Sequence, residues 1–122
     1  MAAKDELGRA GEDRAARYFE ESGYRILSRN WRCRSGELDL VVTKGRDVVV
    51  VEVKTRRGDA FGHPFEAIDA RKRLRLWRLA AAWMAAHPDE LQGRRVRIDA
   101  VGLTGVDPAT ATLEHLVDVE VP

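Results

Sequence analysis

Residues 36–54 constrain the chain most. Two valine-rich runs, 38–43 and 48–53, flank Lys44-Gly45-Arg46-Asp47. This reads as a β-hairpin turning at Gly45-Arg46, because a two-residue hairpin loop needs positive φ and glycine supplies it at little cost. The turn sets the register. If Lys44 pairs with Asp47, counting outward puts Asp39 opposite Glu52 and Glu37 opposite Lys54. Strand alternation then places Glu37, Asp39 and Val41 on one face of the first strand and Val50, Glu52 and Lys54 on one face of the second. Three carboxylates and a lysine thus converge within strands otherwise built from Val and Leu. Opposed acids repel across a ladder, so the pairing calls for a cation between them and predicts a metal site. The competing reading is a set of ordinary ion pairs, Glu37 with Lys54, and Asp39 and Glu52 each with a neighbouring arginine.

The rest of the composition bounds what such a hairpin can belong to. At 122 residues the chain is expected to form one domain, with a single sheet and a few helices and too little length for two cores. Its one cysteine, Cys33, cannot close an internal disulfide and suits a reducing compartment. The opening Met-Ala-Ala-Lys-Asp-Glu has no apolar signal-peptide core, and no run approaches the length of a membrane span. A cytoplasmic location without membrane attachment is the expectation. The net charge of +1 conceals a segregation: residues 25–78 hold 14 Lys/Arg against 7 Asp/Glu, and the remainder holds 7 against 13. A basic block surrounds the acidic hairpin. Such a block draws a polyanion such as nucleic acid, while the carboxylates hold a divalent cation.

Around the hairpin, residues 3–22 read as a helix, with Leu7, Gly11, Ala15, Tyr18 and Phe19 at helical spacing and Gly23 as its stop. Glu12 shares a face with Gly8, Ala15 and Phe19, at the edge of the buried stripe, where a carboxylate needs a partner. Gly8 and Gly11 each cost a helix roughly 1 kcal/mol relative to Ala, a cost offset if they let another backbone approach closely. Residues 24–32 read as a strand carrying Arg29 and Arg32, with Arg34 just beyond. A second helix is expected over 66–86, ending before Pro88, with Leu74, Trp77, Ala81 and Met84 as its apolar stripe and Arg71, Arg75 and Arg78 as a basic one flanked by Lys72. Trp77 and Trp83 read as core anchors. Strands over 94–103 and 113–119, separated by a turn at Gly105-Val-Asp-Pro, complete an α-β-β-β-α-β-β order: an α/β sandwich around a central mixed sheet flanked by helices.

Several pieces in this order resemble a known pattern. They are Gly8-x-x-Gly11-Glu12, Gly36-Glu37-Leu38-Asp39-Leu40, Val51-Glu52-Val53-Lys54-Thr55-Arg56, Phe61-Gly62, Ala67-Ile68 ahead of Lys72, and Arg97-Ile98-Asp99. Asp39 followed after twelve residues by Glu52-Val53-Lys54 resembles the signature of the PD-(D/E)XK nuclease superfamily, which includes restriction endonucleases, archaeal-type Holliday junction resolvases and transposon end-cleaving nucleases. The full set is similar to the small bacterial YraN family over about nine-tenths of the chain. Leu38 stands where the superfamily name has proline, a position that varies within the superfamily.

The resemblance implies a restriction endonuclease-like fold and metal-dependent hydrolysis of phosphodiester bonds, with structured or branched DNA as one substrate class. Hard oxygen ligands select Mg²⁺ or Mn²⁺. Asp39 and Glu52 would bind the ion directly, the Val53 carbonyl could add to the shell, and Glu12 and Glu37 would act through water or a second ion. Lys54 would orient the attacking water and offset charge on the phosphoryl oxygens. Lys72, Arg71, Arg75, Arg78 and Arg56 are the expected substrate contacts, with DNA ahead of RNA as partner. The sequence is also compatible with a homodimer. An accessory nucleic-acid-binding protein with little turnover alone, and a protein-interaction module, are the other classes in play. His63, His87 and His115 lie in separate segments without zinc-ligand spacing, and Cys33 has no neighbour that would make it a nucleophile.

Overall fold

The computed structural model describes residues 3–58, 60 and 62–119, with side chains from Glu6 onward; Phe61, part of the family pattern above, lies outside them. Helix α1, Ala3–Glu21, leads into β1, Arg25–Cys33, β2, Gly36–Lys44, and β3, Asp47–Arg56. A 3₁₀ turn at Pro64–Ala67 precedes helix α2, Ala70–Ala86, and another at Pro88–Leu91 precedes β4, Arg95–Thr104, and β5, Thr112–Leu116. The strands lie in sequence order in one five-stranded sheet, β3 and β4 parallel and the other neighbours antiparallel. Parallel neighbours need a long connection, and α2 is carried in it. This is the mixed α/β architecture expected from the sequence, consistent with a restriction endonuclease-like fold.

The turn chemistry sets the hairpin. Gly45 takes φ +60° and Lys44 pairs with Asp47. Val48, Val49, Val50 and Val51 are completely buried because the sheet is covered on both faces. Each is worth roughly 1.5–3 kcal/mol of burial. Ala15, Ala16 and Phe19 of α1 close over Leu40, Val42, Val49, Val51, Val101 and Leu103. On the other face Leu76, Leu79, Ala80 and Trp83 of α2 close over Leu38, Val41, Val48, Val50, Ile98 and Ala100. Gly11 is what seats α1: a Cβ there would stand 2.1 Å from Thr55 Oγ1 on β3. At Gly8 nothing lies within 4 Å, so only one of the two helical glycines serves a close approach.

The second helix departs from the sequence reading at its start and in its phase. It begins at Ala70, because Asp69 caps it by accepting from the Lys72 N–H, while Glu66 belongs to the preceding 3₁₀ turn that Pro64 opens. Its buried stripe is Leu76, Leu79, Ala80 and Trp83, whereas Leu74 and Ala81 are exposed and Trp77 and Met84 only half-buried. Two apolar stripes of similar width compete on this helix, and packing on the sheet selects the one holding Trp83, whose Nε1–H donates to Ser28 Oγ at 3.0 Å.

The last strand is also shorter than read. It ends at Leu116, and the chain beyond it is held by Asp99, a fully buried carboxylate on β4. Asp99 accepts from Arg97 Nε at 2.9 Å, from the Asp118 N–H at 2.9 Å and from His115 Nε2 at 2.7 Å. His115 Nδ1 in turn accepts from the Tyr18 hydroxyl at 2.9 Å, so a neutral imidazole protonated on Nε2 satisfies both neighbours. Burial alone would raise the Asp99 carboxyl, but the hydrogen bonds from His115, Arg97 and the Asp118 N–H outweigh it and hold it below the usual range.

Candidate functional site

The site forms where two strands lose their alternation at the same place. On β1, Arg29 reaches Asp13 of α1 while Trp31, two residues on, packs on the α2 side. On β2, Leu38 packs on the α2 side and Leu40 on the α1 side. Residues two apart on a regular strand share a face, so both strands switch phase at the residue between, Asn30 on β1 and Asp39 on β2. These two stand across from each other, since Arg29 pairs with Leu40 and Trp31 with Leu38. Asn30 makes the switch with φ +51°, a left-handed conformation that asparagine tolerates better than most residues.

The hairpin ladder also opens here. Pairing of β2 with β3 ends at Leu40 and Val51, one step short of the Asp39–Glu52 pair that the turn register projects. In the fork, Asp39 Oδ2 accepts from the Val53 N–H at 2.9 Å, and the Asp39 carboxyl lies beside those of Glu52 and Glu12. Glu52 is 4% exposed. Its Oε2 receives Lys72 Nζ at 3.0 Å and Lys54 Nζ at 3.4 Å. Asp39, Glu52, Lys54, Lys72 and Glu12 are therefore brought together from β2, β3, α2 and α1.

Glu37 takes a different partner from the one expected. It faces Arg32 across β1 and accepts from Arg32 Nε at 2.9 Å, because the open ladder removes any direct pairing with Lys54. It stays tied to the cluster through Asn30: with the amide oriented so that its nitrogen, not its oxygen, faces the two carboxylates, it donates to Glu37 Oε1 and Glu12 Oε1, both at 2.9 Å. Asn30 is the site neighbour that sequence reasoning missed. The available signal was an asparagine, a poor strand former, in the middle of a strand between Arg29 and Trp31.

Electrostatically the cluster is strained. Burial, and then the adjacent Glu52 charge, pushes the Asp39 carboxyl up to about 8, against the pull of the Val53 N–H. Burial also raises the Glu12 carboxyl, its hydrogen bond with Asp39 opposing and the Glu37 charge adding to the shift. Near neutral pH, Asp39 thus keeps a proton it can share with its neighbours. A divalent cation in its place would relieve the same repulsion, so the donor chemistry fits a hard ion. Among the described residues no three His, Cys, Asp or Glu side chains are grouped so as to hold a metal ion together. The arrangement instead suits an ion that takes one or two carboxylates and completes its shell with water, a backbone carbonyl and substrate oxygens, as Mg²⁺ does.

The arginines divide. Arg71, Arg75 and Arg78 are exposed on α2 and form no ion pair among the described residues. The Arg75 guanidinium lies against Gly36 at the start of β2, where a Cβ would meet Nη2 at 3.0 Å. Arg56 turns back to its own strand and donates to the Thr55 carbonyl at 3.2 Å. Of the basic residues on α2, Lys72 is the one that reaches the acids. His63 sits beside β5, its Nδ1 accepting from the Phe65 N–H and its Nε2 paired with Glu114 at 2.7 Å.

A two-helix α/β sandwich with an acid and lysine cluster in the open fork of its central hairpin is the class that this fold and site define. Residues 11–103 match the model of the uncharacterised protein family UPF0102, and the chain belongs to that family. It is 52% identical over 116 residues to a UPF0102 protein of Arthrobacter sp. (strain FB24), covering 95% of this chain and 97% of the relative. A UPF0102 protein of Paenarthrobacter aurescens is 49% identical over 116 residues, with 95% and 94% covered. One of Kineococcus radiotolerans is 46% identical over 119 residues, with 98% and 97% covered. No helix among the described residues is long and apolar enough to cross a membrane.

Proposed function

We propose that the protein is a metal-dependent nuclease that hydrolyses phosphodiester bonds in DNA, using the acids and lysines of the hairpin fork. The observation that carries this reading is Asp39, held on the Val53 N–H beside Glu52, while Glu52 holds both Lys54 and Lys72. That arrangement supports the reading because it gathers acids that would serve as metal ligands and lysines that would serve as phosphate contacts, in the chain order that resembles the PD-(D/E)XK signature. Asp39 and Glu52 would hold Mg²⁺ or Mn²⁺, with the Val53 carbonyl as a backbone donor and Glu12 and Glu37 acting through water. When bound, such an ion polarises a phosphate oxygen and lowers the pKa of a coordinated water.

The chain's own residues do the rest. Lys54, anchored on Glu52, presents ammonium protons that orient an attacking water and offset charge developing on the phosphoryl oxygens. Lys72, held on the same oxygen, gives a second cationic contact for the scissile phosphate. Arg71, Arg75 and Arg78 offer guanidiniums, unpaired among the described residues, that can follow the backbone of a duplex leading to the fork, and phosphate contacts of this kind position without reading sequence. Purified protein incubated with linear, flapped and four-way DNA in Mg²⁺ and in Mn²⁺ tests the proposal. Metal-dependent cleavage that disappears in Asp39→Ala and Lys54→Ala is expected. Salt-sensitive DNA binding without cleavage of any substrate would instead favour an accessory binding protein.

A further inference from the structure

Asn30 belongs to neither the acid set nor the lysine pair, yet it sits where β1 and β2 both change phase. Its backbone is left-handed at φ +51°, and in the amide orientation that gives two acceptors a donor its nitrogen spans Glu12 Oε1 and Glu37 Oε1 at 2.9 Å each. Each partner comes from a different element, α1 and β2, and Glu37 is pinned on its other oxygen by Arg32. Without a donor between them, Glu12 and Glu37 are two like charges in close proximity, and the Glu37 charge already disfavours ionised Glu12. With Oε1 held, the Glu12 carboxylate has a defined plane and Oε2 is left free of Asn30.

We infer that Asn30 is a positioning residue that aims Glu12 into the fork and so sets the affinity for a divalent ion. The inference rests on the metal-site reading above. It explains why a residue poor in strand propensity occupies this point. Asparagine supplies a left-handed backbone and a two-hydrogen donor together, whereas glycine supplies only the backbone. Partners that orient metal ligands from behind typically change metal affinity by about 10–100-fold when removed.

That difference between asparagine and glycine defines the test. Mn²⁺ binding to the full chain is measured by titration calorimetry for wild type, Asn30→Gly, Glu12→Ala and the double variant, with thermal melting as a check on folding. Asn30→Gly keeps the backbone conformation, so a purely structural role leaves Mn²⁺ affinity at the wild-type value and overturns the inference. The expected result is a loss of about tenfold in Asn30→Gly and no further loss when the same change is made on Glu12→Ala, since Asn30 acts through Glu12. Additive losses overturn it too. If Asn30→Gly does not fold, Asn30→Ala, neutral and without a donor, carries the same cycle, again judged by coupling to Glu12. Absence of Mn²⁺ binding in wild type rejects the metal-site reading and this inference with it, whereas wild-type binding that Asn30→Gly leaves unchanged rejects this inference alone.

Discussion

Lys72 stands 3.0 Å from Glu52 Oε2, closer than Lys54 at 3.4 Å, although Lys54 is the lysine two residues along the same strand. A buried glutamate is thus neutralised mainly from across the helix layer, which couples the docking of α2 to the charge state of the fork. Removing Lys72 leaves Glu52 with one cation and less compensation for its burial. Lys72→Ala should therefore lower stability by about 1–3 kcal/mol, read as a fall in the urea midpoint with an unchanged slope. An unaltered midpoint would mean that Lys54 and water suffice.

The raised Asp39 carboxyl predicts an unusual pH profile in metal-free protein. Its folded value, about 8, lies above the ordinary 3.8, so the folded state holds a proton that the unfolded chain has released. The contribution to stability is fully present below pH 3.8 and is lost as pH rises towards 8, with a limiting slope of about 1.4 kcal/mol per pH unit. Asp39→Asn should flatten this fall in melting temperature between pH 5 and 8. Mg²⁺ or Mn²⁺ should raise the wild-type melting temperature near neutral pH, and not that of Asp39→Asn. A wild-type curve indifferent to both pH and metal would contradict the electrostatic account.

Asp99 titrates in the opposite sense. Its carboxyl is held below 3.8 by the His115, Arg97 and Asp118 hydrogen bonds against the effect of burial. The stability it contributes is present above pH 3.8 and is lost as pH falls through its lower folded value. Asp99→Asn should cost about 2–4 kcal/mol at pH 7, because Arg97 and His115 lose a buried partner, and should weaken the acid sensitivity. Its Mn²⁺ affinity should match wild type, since the partners of Asp99, namely Arg97, His115 and the Asp118 N–H, are none of the acids or lysines of the fork. Urea titrations at pH 3 and pH 7, with calorimetry, check both halves.

Arg71, Arg75 and Arg78 should supply salt-dependent affinity. Replacing all three with Ala is expected to weaken DNA binding similarly across sequences and to reduce the dependence of log K on log salt by up to about three units, near one per lost phosphate contact. An unchanged slope would send the search for the substrate path to Arg29 and Arg32 on β1 and Arg34 just after it.

Gly11 gives a prediction independent of function. A methyl group there would meet Thr55 Oγ1 at 2.1 Å, and Leu103 stands close behind. Gly11→Ala should gain helix propensity yet destabilise by about 1–3 kcal/mol overall through overpacking. Gly8→Ala, with open space around it, should stabilise by up to about 1 kcal/mol. Paired thermal melts of the two variants settle the comparison.

What the sequence determined by itself is what short-range rules can carry. Gly45-Arg46 specified a tight turn, the turn specified the pairing of Lys44 with Asp47, and that register pointed Asp39 towards Glu52. The element order followed from periodicity and punctuation, and Glu12 showed itself as an acid on a helix face that is otherwise buried. The tertiary structure decided the rest. Counting by two assumes unbroken alternation, and Asn30 with Asp39 break it together, so Glu37 goes to Arg32 rather than Lys54. On α2 the apolar residues permit two helix phases, and only packing against Val48, Val50 and Ile98 chooses Leu76, Leu79 and Trp83 over Leu74 and Ala81. That choice swings Lys72 into the fork and leaves Arg71, Arg75 and Arg78 outside it. The physical reason is common to both cases: a local pattern fixes which side chains share a face, but a left-handed residue or a covering layer decides which way that face points.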